Sequence, residues 1–473
     1  MNGESICDLR SALRLLNNSG EKIEIVDREM SAVCEIPSHY ANYGAGVPNV
    51  SNLNHGSPVI YNNVKGHSMP VLVGLFNSRA ACSKMLGLDC EKVGRELSDY
   101  VIEGYHPVMV DNPPCQENVI TQDIDITRTL PVLTYTKDNA GPYITTGIVY
   151  AKDPETGEED ITIHRLCVQG KDTLTVYLIP GRHIEIFYRK AVKLGKPLPI
   201  TINIGVDPAI TLVSTFSYPV TLLGYNELNI AGALRKSGVQ VAKAVTNEAK
   251  CIASSEIVLE GYIMPQEMPE NISNPEGHSL PEFLGYIGKA QKSLPVVKVT
   301  AITHRNNPIY QTIVGPGAEL SNICGIATEA SLFKCIKDSV TNKILNCYCS
   351  HCGGGKLTAF LQFRKDSEMD DAKTRQAGIA AFTAFHELKH VYLVDEDVNI
   401  LDEREVLWAM TTRFQGTHSI ISIPNLNCHV LDPSQTPEFS SDNTIQGTTY
   451  KTVFDCTVPY KLKNQFRRVD YGW

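Results

Sequence analysis

The sequence predicts an α+β multidomain chain in three parts, and three observations carry that expectation. A first stretch mixes helix and strand patterns, and a central block from Tyr143 to about Thr300 is dense in short strands. After Ser321 the pattern alternates strand with helix. At 473 residues, each part is long enough to bury a core of its own.

In chain order, Asp8-Leu9-Arg10 opens a helix with Leu9, Leu13, Leu15 and Leu16 as its apolar positions. A strand follows at 22–26, then strands at 58–61 and 71–75 and helices at 79–86 and 91–103. The Pro-, Asn- and Asp-rich segment 110–121 reads as a linker. The central block carries strands near 144–150, 160–168, 173–178, 200–204, 240–245, 256–263 and 296–301, interrupted by short helices at 183–194, 210–216 and 227–236. So many short strands in one block point to a barrel or sandwich rather than a doubly wound sheet. Helices at 327–337, 371–383 and 403–411 alternate with strands at 357–363 and 391–394 in the last part.

A hydrophobic fraction of 42% and a charged fraction of 20% describe an ordinary globular chain. The net charge of −9, without a basic run, argues against a nucleic-acid binder and points to a small ligand held by local groups. No apolar run reaches a membrane span, and the N-terminus lacks the basic region and cleavage site of a signal peptide, so the expected location is the cytoplasm. The fourteen cysteines follow no disulfide spacing and read as reduced thiols.

The chemistry centres on Glu159 to Leu194. In DITIHRLCV the residues Asp160, Thr162 and His164 share one strand face, and Arg165 points from the other unless a bulge re-aims it. After Pro180-Gly181, Arg182-His183 opens a helix, and Glu227 opens another. Asp160, His183 and Glu227 together form a hard, oxygen-rich set suited to Mn²⁺ or Mg²⁺. Singly, each also reads as a turn residue, a helix start and a first-turn acid answering the helix dipole. Glu276 and Glu282, in a loop punctuated by Gly and Pro, can converge on a ligand. If Arg165 meets one of them, an ionised role separates from a proton-donor role. The alternative is a pair of solvated loop carboxylates.

Two further motifs compete. His386-Glu387-Leu388-Lys389-His390 matches the HExxH of zinc metalloproteases, with Glu387 as the base, but a strand-like run begins where that motif needs its helix to continue. Cys347, Cys349 and Cys352 could hold part of a zinc site, yet no second half lies nearby, and a flexible loop with incidental thiols is the simpler reading. There is no nucleophile elbow, dinucleotide fingerprint or Walker loop.

Across nearly its whole length the chain resembles the UbiD family of decarboxylases, which use prenylated FMN. The resemblance lies in DLRSALRLL, DITIHRLCV, IPGRHI, DPAITLVST, NELNIAGAL, SSEIVLEGYI, PEGHSLPEFLGY, AITHRNNPIYQTI, LKHVYLVDEDVNI and LWAMTTRFQG. It implies an N-terminal α/β domain (1–122), a central split β-barrel related to flavin reductases (123–312) that binds the cofactor, and a C-terminal α/β domain (313–473) used in oligomer contacts. It further implies Asp160, His183 and Glu227 as ligands of a Mn²⁺ bridging to the cofactor phosphate, although many members carry Asn where this chain has Asp160. By the same resemblance, Thr162, Ile163 and Arg165 contact the cofactor, Ser214 and Thr215 sit beside the phosphate and a K⁺ ion, and Lys389 reaches the phosphate. Arg165, Glu276 and Glu282 resemble the catalytic Glu–Arg–Glu network, with one residue more between the two acids than is common. Glu282, anchored by Phe283-Leu284-Gly285-Tyr286, is the expected proton donor, and Arg182 is expected to face the substrate, with His304 and Arg305 as further candidates.

The expected function is reversible, non-oxidative decarboxylation of an aromatic or heteroaromatic acid, with a hydroxybenzoate type favoured. The expected partners are a flavin prenyltransferase as cofactor supplier and further copies of the chain, as a dimer or hexamer. The competing readings are a zinc metalloprotease and a flavin-binding barrel without turnover.

Overall fold

The computed structural model describes residues 6–41, 56–437, 439–440 and 446–469, which leaves the first five residues of the N-terminal segment read above outside it. The chain falls into two compact units: Met1–Cys90 with Tyr100–Ile323, and Glu91–Asp99 with Cys324–Trp473.

The first unit is built around a closed barrel. Six strands, Ile257–Met268, Leu198–Ile204, Tyr143–Lys152, Glu159–Val168, Thr173–Val176 and Leu294–His304, pair in that order, and Leu294–His304 pairs back onto Ile257–Met268 to close the ring. Closure leaves the alternate residues of each strand facing inward, and the stretch Ile302–His304 that Thr173–Val176 does not reach keeps an edge available. Ile144, Leu166, Val176, Ile202, Leu259 and Val299 are among the buried residues of this core. The helix His183–Lys193 adds Ile184, Phe187 and Ala191 to it. Between barrel and sandwich, the structure settles on the barrel.

The segment read as a linker contributes to the same sheet. Asn118–Ile120 pairs with Leu294–His304, because Asn118, Val119 and Ile120 oppose His304, Thr303 and Ile302. A second, four-stranded sheet holds Glu24–Val26, Val59–Tyr61, Val71–Val73 and Tyr310–Gln311. Its last strand comes from the far end of the central block, so the chain returns to complete this sheet. The helix Leu9–Asn18 starts where Asp8 accepts from the Ser11 amide, with the Ser11 side chain answering in a capping box.

The second unit is a five-stranded mixed sheet in the order Ile344–Cys349, Thr358–Phe363, His390–Asp395, Thr448–Asp455 and Ile420–Asn427. Leu332, Phe333, Ile336, Ala377 and Ala381 from helices Ala318–Ser339 and Met369–Ala384 bury against Leu361, Leu393 and Val453. Here the reading of Cys347–Cys352 as a flexible loop is corrected. Cys347 and Cys349 are buried within a paired strand, and only Cys352 lies on the following exposed turn.

Candidate active site

One strand supplies two groups of side chains. Glu159–Val168 pairs with Tyr143–Lys152 in regular register, except that Ile144 opposes Leu166 while Gly147 opposes His164. Two residues, Thr145 and Thr146, therefore face Arg165 alone. A bulge of this kind bends the strand and re-aims the side chain opposite it.

The first group gathers Asp160, His183 and Glu227. All three are buried, and one ligand atom from each lies within 4.8 Å of the others. His183 Nδ1 is 3.2 Å from Asp160 Oδ1, and Thr162 donates to Asp160 Oδ2 at 2.8 Å. Gly181, at φ +81, makes the turn that sets Arg182 as the helix N-cap and His183 in the first turn. Glu227 occupies the N-cap of Leu228–Arg235 but makes no side-chain cap bond, and its Oε2 is buried without a hydrogen-bond partner. Burial, and then the neighbouring Asp160 charge, push the Glu227 carboxyl well above its usual range. Two buried carboxylates side by side call for a cation between them, and an imidazole with hard oxygens suits a divalent one. The residues present fit that ion.

Ser214 lies close by, since its carbonyl accepts from the Ile163 amide at 3.5 Å, while its hydroxyl donates to Thr211 O at 2.8 Å. The Thr215 hydroxyl is turned to the carbonyls of Leu212 and Ile323, at 2.8 and 3.1 Å. Lys389 lies in the second unit, where its ammonium meets Asp432 at 2.7 Å and the Ser434 hydroxyl. His304 and Arg305 serve the frame: Arg305 binds Asp8 at 2.8 Å and Glu256 at 3.3 Å, and His304 Nδ1 binds the Arg305 carbonyl.

The second group surrounds Arg165. Its Nη1 donates to Glu282 Oε1, and its Nη2 lies 3.3 Å from Glu270 Oε1. The Tyr177 ring covers the guanidinium face, 4.7 Å from Cζ to centroid. Burial alone would lower the Arg165 pKa, but the charges of Glu270 and Glu282 outweigh it and hold the guanidinium protonated. Glu282 is placed by a hairpin of His278–Pro281 and Ile287–Lys289. A Cβ on Gly288 would come within 2.6 Å of Glu282 Oε1, so the hairpin needs glycine there for the carboxylate to lie across it.

Glu276 does not join this network, and its expected role is corrected. Its side chain is 64% exposed and pairs with Lys292 at 2.8 Å. The second acid is Glu270, only 1% exposed, which also accepts from the Tyr143 hydroxyl at 3.1 Å and the Gln291 amide at 3.0 Å. Nothing local marks Glu270 in the sequence, because Met268-Pro269-Glu270-Asn271 reads as a polar strand end. The one available signal was the length of the strand Ile257–Met268, which delivers the chain back to Arg165.

The HELKH segment carries no metalloprotease helix. Met369–Ala384 ends before His386, and His390 already begins the next strand. Glu387 is engaged by Lys356 at 2.9 Å.

One strand thus carries a buried arginine paired with two carboxylates and, through Asp160, one corner of a buried Asp–His–Glu cluster able to hold a metal ion. Three consecutive family models match: the N-terminal domain of 3-octaprenyl-4-hydroxybenzoate carboxy-lyase over 13–101, its Rift-related domain over 107–318 and its C-terminal domain over 321–456. The chain therefore belongs to the UbiD family and is a carboxy-lyase. It is 41% identical to gallate decarboxylase of Lactiplantibacillus plantarum, over 98% of this chain and 96% of that protein. The apo structure of a 3,4-dihydroxybenzoic acid decarboxylase from Enterobacter cloacae superposes with a TM-score of 0.92 at 41% identity, covering 99% of this chain and 98% of that one. An evolved dimeric form of the UbiD-class enzyme HmfF from Pelotomaculum thermopropionicum, in complex with prFMN, gives 0.84 at 31% identity, covering 98% and 97%.

Proposed function

We propose that the chain removes CO₂ reversibly from a hydroxylated benzoic acid of the 3,4-dihydroxybenzoate or gallate type, using prenylated FMN. The observation that carries the reading is Arg165 held between Glu270 and Glu282 on the strand that also supplies Asp160. The gallate and dihydroxybenzoate decarboxylases, each 41% identical, support the substrate class. The relative holding prFMN supports the cofactor.

When bound, prenylated FMN supplies the electron sink for the pair left behind by departing CO₂. Asp160, His183 and Glu227 would hold a divalent ion, Mn²⁺ in this reading, that offsets the phosphate charge. Thr162, Ile163, Ser214 and Thr215 would line that end together with K⁺. Glu282 donates its proton to the ring carbon that has lost CO₂. Its side chain is 13% exposed, which gives the spent carboxylate a route to recover a proton from solvent. Arg165 keeps that carboxylate in place through both protonation states. Arg182, half-buried at the helix N-cap, is the cation offered to a second polar substituent of the substrate. High CO₂ would drive the reaction toward carboxylation.

No helix among the described residues is long and apolar enough to cross a membrane. We place the enzyme in the cytoplasm, supplied by a flavin prenyltransferase and assembled as a homo-oligomer through its C-terminal part.

The test is to purify the chain with and without a co-expressed flavin prenyltransferase, record its visible spectrum, and assay CO₂ release from 3,4-dihydroxybenzoate, gallate and unsubstituted benzoate. Turnover of the hydroxylated acids by the flavin-loaded form alone is the expected result. A flavin-loaded protein that turns over none of them would overturn the reading.

A further inference from the structure

Glu270 is held more completely than an ion pair with Arg165 requires. Its Oε1 accepts the Tyr143 hydroxyl at 3.1 Å, its Oε2 accepts the Gln291 amide at 3.0 Å, and Arg165 Nη2 lies 3.3 to 3.4 Å from both oxygens. The carboxylate therefore has little freedom to rotate. Tyr143 is itself fixed. It is fully buried at the start of Tyr143–Lys152, opposite Cys167, and its main chain pairs with Leu133. Burial, followed by the adjacent Glu270 charge, raises its phenol well above the ordinary range, so the hydroxyl remains a donor at all working pH values.

Arg165 is held from the other sides as well. The Tyr177 ring lies over its face, and the Tyr177 carbonyl accepts from Nδ1 of the buried His164 at 3.0 Å. Burial lowers the His164 pKa to about 4, so this imidazole is neutral and adds no charge beside Arg165. With Nη2 set by Glu270 and the guanidinium face by Tyr177, Nη1 addresses Glu282, while Nε is buried without a hydrogen-bond partner. The order of contacts runs Tyr143, Glu270, Arg165, Glu282.

We propose that Tyr143 is a positioning residue for the proton transfer: by donating to Glu270 it sets the Arg165 guanidinium and so aims Glu282 at the substrate carbon. Tyr143 touches neither Arg165 through a hydrogen bond nor Glu282, and its effect passes through Glu270. This inference rests on the decarboxylase reading above. It goes beyond that reading in naming what orders the donor.

The loss of one charge-assisted hydrogen bond corresponds to roughly a tenfold to hundredfold change in rate. Tyr143→Phe in the flavin-loaded enzyme should therefore lower kcat on 3,4-dihydroxybenzoate by about that factor, with KM changed by less than about threefold. The solvent deuterium isotope effect on kcat should rise as protonation becomes limiting. In a Glu270→Ala background, which removes the carboxylate that Tyr143 donates to, the same substitution should have almost no further effect. The crystal structure of cofactor-free Tyr143→Phe should show Glu270 rotated and Arg165 Nη2 drawn away from it, a readout independent of turnover. If Tyr143→Phe does not fold, Tyr143→Met, which also removes the hydroxyl, carries the same isotope-effect and crystallographic readouts. An unchanged kcat, effects that multiply in the double variant, or an undisturbed Arg165–Glu282 pair would each overturn the inference. Failure of the wild-type enzyme to turn over any of the acids would instead sink the function reading, so the two failures are distinct.

Discussion

Arg165 donates from Nη1 to Oε1 of Glu282, joining a barrel strand to a hairpin 117 residues further along the chain. This contact separates two glutamates that the sequence presents as equals, and in the proposed reading it singles out Glu282 as the proton donor. Glu282→Gln should reduce decarboxylation by about a hundredfold to ten-thousandfold, the usual worth of a positioned general acid. The bound-flavin spectrum should persist. Glu276→Gln, which alters only an exposed pair with Lys292, should leave kcat within about twofold of wild type. Steady-state CO₂ release by both variants decides the assignment, and an inactive Glu276→Gln would reverse it.

The Asp160–His183–Glu227 cluster predicts one divalent-ion site per chain. Removing His183 leaves two buried carboxylates without the imidazole nitrogen. His183→Ala should therefore lose bound Mn²⁺, measured by elemental analysis after dialysis, and should lose the thermal stabilisation that added Mn²⁺ gives the wild-type protein. Retention of a full equivalent of metal in that variant would remove the cluster from consideration.

Glu319 is buried, accepts from the Gly74 amide at 2.9 Å and the Phe76 amide at 3.3 Å, and has its pKa raised by burial from 4.5 to about 8. A carboxyl whose pKa is raised on folding holds its proton more tightly in the folded state. Its contribution is thus complete below about pH 4.5 and is lost as pH rises through about 8. Glu319→Gln keeps the acceptor and removes the titration. Thermal midpoints measured across that window should fall less steeply with pH in the variant than in the wild type, and parallel curves would contradict the assignment.

Cys7 and Cys352 are the exposed thiols among the fourteen cysteines, all of them free. Cys352 Sγ lies 3.0 Å from Glu403 Oε2, and burial together with that carboxylate raises its pKa to about 11. Since the thiolate is the reactive form, Cys352 should alkylate slowly near pH 8 despite its exposure. Glu403→Gln should speed Cys352 by roughly tenfold, as the nearby anion no longer opposes the thiolate. Peptide mass spectrometry of a timed iodoacetamide reaction reads both rates.

Much of this protein was legible in its residue pattern because the governing physics is local. Two-residue alternation in DITIHRLCV, the glycine turn before Arg182 and the capping groups around Leu9–Asn18 each act within a few residues, and those elements stand where the pattern put them. Asp160, His183 and Glu227 could be nominated together because each sits at a strand start or helix start whose location the local signals give. The residue pattern therefore sufficed for this set of elements, the chemistry of their side chains and the resemblance that orders them.

Which carboxylates Arg165 meets is set by long-range packing. Glu276 and Glu270 lie six residues apart, both in irregular chain, and no local rule ranks them. Closure of the barrel brings the end of Ile257–Met268 beside Arg165, while the hairpin turns Glu276 to solvent and Lys292. The bulge of Thr145 and Thr146 opposite Arg165 is likewise invisible in one strand, because a bulge is a relation between two. The same holds for Asn118–Ile120, a linker by composition that becomes a strand only because Leu294–His304 offers it a partner. Pairing and burial are long-range facts, set by which surfaces the closed barrel leaves available, and they chose Glu270 where the spacing of acids along the chain had pointed to Glu276.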